Sequence, residues 1–202
     1  MTHTHLSVLV DRSGSMASIR DDMLGGLSSL FADQAEQDGK CTVDYAQFDT
    51  KYERVFENTL VASAKPVLEP RGGTALLDGL GRSISELKTK LENLPENFSP
   101  DKIIFVVVTD GHENSSREFN AASVKKLVEA NTEAGWEFVF LGANMDAVEV
   151  AQQYGFAKGS TLTYSTANVG ATSAHLSEYV TRSRSGVLNN AFTEAEREDA
   201  VK

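Results

Sequence analysis

Cysteine is nearly absent: Cys41 is the single one in 202 residues. That excludes an internal disulfide or a thiolate zinc cluster built from this chain alone, and it fits a reducing compartment. Proline is scarce as well. The four fall in two short stretches, at 66 and 70 and at 95 and 100, so the rest of the chain is free of that helix breaker. Basic residues are outnumbered, 19 against 29 acidic ones, for a formal charge of −10. A general binder of nucleic-acid phosphates needs a basic face, so this balance speaks against that class and leaves cations or basic partners. Apolar runs are short. The first, within 6–10, stops at Asp11, far from the roughly 20 residues that cross a bilayer. No Lys or Arg precedes it as a signal peptide requires. The expectation is a cytoplasmic protein without membrane contact. Missing too are G-x-x-x-x-G-K-[ST], a strand-linked G-x-G-x-x-G and G-x-S-x-G, the signatures of nucleotide-phosphate cradles and of a serine-nucleophile elbow.

Apolar residues make up 41% of the chain, enough for one well-buried core, and the length is too small for a second full domain. Leu6, Val8, Leu9 and Val10 read as a first strand, after which Met23, Leu24, Leu27, Leu30 and Phe31 recur with helical spacing. Residues 41–48 and 52–60 are two β-type runs joined by Asp49-Thr50-Lys51, close enough for an antiparallel hairpin at a sheet edge. Leu77, Leu80, Ile84, Leu87 and Leu91 step by three and four and mark the clearest amphipathic helix. The unbroken run 103–108 suits a central strand buried on both faces, and 138–141 suits another. Val124, Leu127 and Val128, then Ala147, Val150, Ala151 and Tyr154, mark further helices; 161–164 is a short last strand and 173–184 a closing helix. This alternation predicts an α/β fold, with a doubly wound, mostly parallel sheet, one antiparallel edge-hairpin strand, and helices on both faces. Residues 1–184 form the domain in this reading. Residues 185–202 are an appendage, a peripheral helix or disorder, with Thr193-Glu194-Ala195-Glu196 as a capping-box pattern.

Polar residues of an unusual kind stand at three predicted strand ends or loops: Asp11, Ser13 and Ser15, then Thr74 after Gly72-Gly73, then Asp110. In a parallel sheet the carboxyl ends of the strands share one edge, so the first and third groups are expected to be neighbours in space. Hydroxyls and carboxylates are hard oxygen donors suited to Mg²⁺, which takes about six oxygens and tends to keep some waters. Each piece alone has an ordinary explanation. Asp11, Ser13 and Ser15 can cap a helix, Thr74 can be the N-cap of the helix that follows, and Asp110-Gly111 is a common turn pair. Asp78, one turn beyond Thr74, reads as a solvated helix carboxylate. His112, Glu113 and Asn114 read as rim residues without assigned chemistry, His3 and His5 as part of a flexible start, and Cys41 as a small buried hydrophobe.

Taken together, Asp11-Arg12-Ser13-Gly14-Ser15, Gly72-Gly73-Thr74 and Thr109-Asp110-Gly111 resemble the von Willebrand factor A domain, whose metal-ion-dependent adhesion site is written across three such loops. The resemblance runs from about residue 6 to residue 184 in element order, early edge hairpin included. It implies a Rossmann-like A-domain of the stand-alone bacterial or phage type. It also implies Ser13, Ser15 and Thr74 as direct metal ligands, with Asp11 and Asp110 acting largely through water. The implied ion is Mg²⁺, with Mn²⁺ or Ca²⁺ as alternatives. The implied function is a protein-binding module, monomeric when free, whose partner completes the coordination with an Asp or Glu side chain.

Two other classes stand beside it. A metal-assisted phosphohydrolase needs a general base placed by geometry, and an aspartyl-phosphate enzyme carries a second acid where Ser13 stands, so no catalytic residue is assigned. Stand-alone bacterial members of the resembled family also suggest a regulatory subunit of an ATP-driven or stress-response assembly.

Overall fold

The run of β-branched and aromatic residues from Ile103 to Val108 lies in β4 (Lys102–Thr109), inside a six-stranded sheet. A computed structural model describes residues 2–143 and 145–202. The other strands are β1 (His3–Asp11), β2 (Lys40–Phe48), β3 (Tyr52–Leu60), β5 (Glu137–Ala143) and β6 (Thr161–Tyr164), and the order across the sheet is β3-β2-β1-β4-β5-β6. All neighbours are parallel except β2 and β3, which form the expected antiparallel edge hairpin.

Strand alternation divides the core into two layers. Leu6, Val8, Val10, Ile104, Val106 and Val108 face α1 (Arg20–Ala35) and α5 (Val169–Arg184). Leu9, Phe105 and Val107 face α2 (Leu76–Glu92), α3 (Ala121–Glu133) and α4 (Ala147–Gln153). Each such side chain, fully buried, contributes about 1.5–3 kcal/mol of transfer free energy. A Cβ at Gly26 would lie 2.0 Å from Ser173 Oγ, so the missing side chain lets α1 and α5 meet there. The parallel register sets Asp11 opposite Phe48 and Val10 opposite Val108, which brings the segments leaving β1, β2 and β4 out along one edge.

Strand β1 begins before its apolar residues do. His3 and His5, expected in a flexible start, belong to the strand: His5 is buried, and both imidazoles meet Thr42 Oγ1 at 2.9 Å. Their alternation puts them on one sheet face with Thr42 and Asp44, where Asp44 also pairs with Lys90. Cys41 is buried in the layer under α1.

The segment 185–202 holds a short helix, α6 (Glu194–Ala200), started by a capping box between Thr193 and Glu196. Ala200 and Phe192 are buried in the same layer as α1 and α5, and the Phe192 ring packs 4.7 Å from that of Tyr179. The Arg197 guanidinium donates to the backbone carbonyls of Thr161 (2.7 Å), Lys158 (2.9 Å) and Gly159 (3.2 Å), and so ties α6 to the start of β6. Among the described residues no helix is long and apolar enough to cross a membrane. Arg197→Ala removes the charge-assisted donors to those carbonyls. It is expected to cost about 1–3 kcal/mol, read as a lower urea midpoint with an unchanged slope.

Candidate metal centre

The five residues singled out from sequence meet at the carboxyl edge of the sheet. Asp11, the last residue of β1, is fully buried; its Oδ1 accepts the Ser13 N–H at 2.6 Å and its Oδ2 accepts the Thr109 hydroxyl at 2.7 Å. The Ser13 and Ser15 hydroxyls lie 3.0 Å apart, and the Ser15 hydroxyl donates to Asp110 Oδ1 at 2.7 Å. Thr74 enters through Gly111, where an added Cβ would sit 2.9 Å from Thr74 Oγ1 and 3.7 Å from Asp11 Oδ2.

Helix capping does not account for these hydroxyls. Ser13 occupies the N-cap position of the 3₁₀ turn Gly14–Ile19 without a side-chain cap bond, and the N-cap of α2 is Ala75, so the Thr74 hydroxyl caps nothing. Two carboxylates and three hydroxyls, without sulfur or imidazole, form a hard-oxygen set whose chemistry fits a cation of the Mg²⁺ class.

The electrostatics point the same way. Burial pushes the Asp11 carboxyl up to about 6, helped by the negative charge of Asp110 and opposed by the bonds from Thr109 and Ser13. Burial raises Asp110 as well, against the bond from Ser15. Tyr164, at the end of β6, is fully buried with its hydroxyl unpaired among the described residues. Its phenol is pushed up by burial and then by the charges of Asp110 and Asp11. Among the described residues no Lys or Arg forms an ion pair with Asp11 or Asp110. A contrast lies on α5 and α6, where His175, Glu178 and Glu196 approach one another. There Arg182 bonds Glu196 at 2.8 Å and stands 3.9 Å from Glu178, while His175 Nε2 meets Asp199 at 3.1 Å.

The loops are fastened by residues that the sequence reading passed over. Arg12, inside the D-x-S-x-S stretch, is buried; its Nε donates to Asp49 Oδ2 at 2.9 Å, and it also pairs with Glu53. Arg71 Nε reaches the same Asp49 oxygen at 3.0 Å. Although burial opposes it, Arg71, the Lys51 N–H and Arg12 hold the Asp49 carboxyl below its usual range. Backbone bonds follow the same route: Arg12 N to Phe48 O at 2.8 Å, Arg71 N to Arg12 O at 2.7 Å, Gly14 N to Gly72 O at 3.1 Å, and Ala75 N to Asp49 O at 2.8 Å.

On the far side the loop after β4 folds back over the start of α2. Asp78, expected as a solvated helix carboxylate, instead accepts the N–H groups of Arg117, Glu118 and Phe119, each at 2.9 Å, which hold it below its ordinary range against a burial cost. Glu113 accepts from the Leu77, Ser115 and Ser116 N–H groups at 2.9, 2.8 and 2.7 Å. His112 is exposed on the rim.

A carboxyl raised from 3.8 to about 6 binds its proton more tightly in the folded chain than in the unfolded one. The stability it contributes is therefore full below the unfolded value and is lost as pH rises through about 6. In EDTA, Asp11→Asn is expected to gain on the wild type by about 2–3 kcal/mol between pH 4 and pH 7. Urea midpoints of both proteins across that range check it, and parallel curves would contradict the buried, unpaired charge.

No family model and no curated protein sequence matches the chain. Solved structures do. The von Willebrand factor domain of the type V pili tip protein Mfa5 from Porphyromonas gingivalis matches with a TM-score of 0.66 at 8% identity, over 90% of this chain and 96% of that one. Proximal thread matrix protein 1 of the mussel byssus matches with a TM-score of 0.62 at 13% identity, over 89% of this chain and 46% of that one. The same mussel protein has been solved with a zinc-occupied MIDAS motif. A von Willebrand factor type A structure from Catenulispora acidiphila matches with a TM-score of 0.59 at 15% identity, over 89% of this chain and 43% of that one. The chain thus spans less than half the length of the mussel and Catenulispora chains. Identities this low speak to architecture, and with the sheet order and the antiparallel edge strand they establish that this chain has the von Willebrand factor A fold.

Proposed function

We propose that this protein is a metal-dependent protein-interaction module. In this reading Ser13, Ser15 and Thr74 hold a divalent cation through their hydroxyls, Asp11 and Asp110 supply negative charge around it, and the ion is Mg²⁺, with Mn²⁺ or Ca²⁺ as alternatives. The observation that carries the reading is the pairing of two carboxylates that lack a cationic partner among the described residues with three hydroxyls that cap no helix. The zinc-occupied motif in the mussel protein supports a metal at such a fold edge. A bound cation would supply positive charge that these groups neutralise only in part, leaving it attractive to a carboxylate of another protein. The partner proposed is therefore a protein presenting an Asp or Glu, and no nucleic acid or membrane.

The module is proposed to be non-enzymatic. His112, the histidine nearest the site in sequence, is exposed and bonds no described residue, so nothing orients it as a general base. The domain is taken as 1–184 with 185–202 as an appendage fastened to it, monomeric when free and cytoplasmic.

Adding Mg²⁺ or Mn²⁺ to EDTA-treated protein is expected to raise its melting temperature, by the equivalent of about 2.7 kcal/mol at a hundredfold excess over Kd. Ser13→Ala and Thr74→Val should remove most of that rise while melting normally in EDTA. Partner retention on the immobilised protein should be lost in EDTA and in Asp11→Ala. Retention that survives both treatments contradicts a carboxylate bridge through the ion.

A further inference from the structure

We infer that Asn114 is a positioning residue that holds Thr74 where its hydroxyl can serve the cation site. The inference rests on the proposed cation site and deepens it. Thr74 is buried and belongs to no helix, and its hydroxyl makes no hydrogen bond to a described residue. What fixes it is its backbone, clasped from one side by Asn114. The Thr74 N–H donates to Asn114 Oδ1 at 2.9 Å, and the Asn114 N–H donates to the Thr74 carbonyl at 3.0 Å. Ser115 Oγ donates to the same Oδ1 at 2.5 Å, which pins the amide orientation.

The fit is close enough to dictate the neighbouring residue. A Cβ on Gly73 would stand 2.5 Å from Ser115 Oγ and 2.9 Å from Asn114 Oδ1, so a side chain at 73 would displace the clasp. Asn114 is itself exposed and contributes nothing to either core layer. The rest of its loop is held separately by Glu113 and Asp78. Its side-chain carbonyl thus serves the Thr74 peptide, steadied by the neighbouring Ser115 hydroxyl. Groups that orient a metal ligand from behind typically change metal affinity about 10–100-fold when removed.

The test uses Mn²⁺ alone as probe, with free ion measured by its paramagnetic resonance signal and melting recorded in EDTA. Asn114→Ala and the near-isosteric Asn114→Leu are expected to weaken Mn²⁺ binding about tenfold or more with only a small fall in melting in EDTA, because the Thr74 N–H loses its acceptor while the Asn114 N–H to Thr74 carbonyl bond persists. Asn114→Asp keeps an acceptor at the Oδ1 position and should restore binding at least to the wild-type level. In a Thr74→Val background, Asn114→Ala should cost nothing further, since the hydroxyl it positions is gone; a general loosening of the loop would instead add its full loss in both backgrounds. If the wild type binds Mn²⁺ and Thr74→Val weakens it while Asn114→Ala binds like wild type, the inference falls and the cation site stands. If the wild type binds no Mn²⁺, both fall together.

Discussion

Burying Asp11 at the end of β1 removes a carboxylate from water, and the bonds from Ser13 and Thr109 return only part of the lost hydration, which is why its proton affinity stays high. Several other shielded acids of the chain are paired with cations. Asp49 has Arg12 and Arg71, Glu196 has Arg182, and Asp44 has His5 and Lys90, which outweigh its burial and draw its carboxyl well below the usual range. Each of these buried acids carries its own cation, as buried charges generally must. Among the described residues Asp11 and the half-buried Asp110 have no such cation, and the buried Tyr164 hydroxyl, raised by their charges, is unpaired. The contrast within one chain is more telling than the motif: the arginines that complete other acidic groups are present at this edge but are aimed at Asp49.

That aim has a second effect. Because Arg12 and Arg71 converge on Asp49, the β1 exit, the β2–β3 turn and the Gly72-Gly73 segment are joined before any ligand is considered. The backbone bonds among Arg12, Phe48, Arg71, Gly14 and Gly72 repeat the connection without side chains. A site assembled in this way has already met the entropic cost of ordering its loops, so binding energy is not spent on folding them. What stays open to solvent beside these joined loops includes the Arg71 side chain, which is 57% exposed while holding Asp49.

The sheet was legible in the sequence because its central strands are buried on both faces and therefore read as unbroken apolar runs, and α2 because its leucines keep a strict helical step. That the segments after Asp11 and around Asp110 are neighbours was legible for a related reason: a parallel strand must end at the ligand edge, so polar residues just past Val10 and Val108 had to come together. What escaped the reading was polar structure made over distance. His3 and His5 lengthen β1, but apolar patterning cannot see a strand whose inward side chains bond Thr42 instead of packing. Asp78 was misjudged since its partners are backbone N–H groups 39 to 41 residues away, in a loop with no periodicity. Arg12 sat at a variable place in the motif, and only the fold reveals that its charge closes on Asp49. Helix α6 presents few apolar residues, and its attachment through Arg197 to carbonyls leaves no sequence signature.

Thr74 is where these long-range connections converge. On one side its segment is held by Asp49, whose carbonyl accepts the Ala75 N–H, and by Gly72, which takes a positive φ of 70° to pass beneath the hairpin turn. On the other side it is held by Asn114, from a loop that exists only after β4 has paired with β1. Local structure within 71–75 therefore cannot place the hydroxyl. It is set by contacts from residues 12–49 and from residues 111–115 acting together. A ligand that requires Thr74 requires the assembled sheet, so its binding free energy adds to the stability of the whole domain, not to that of one loop.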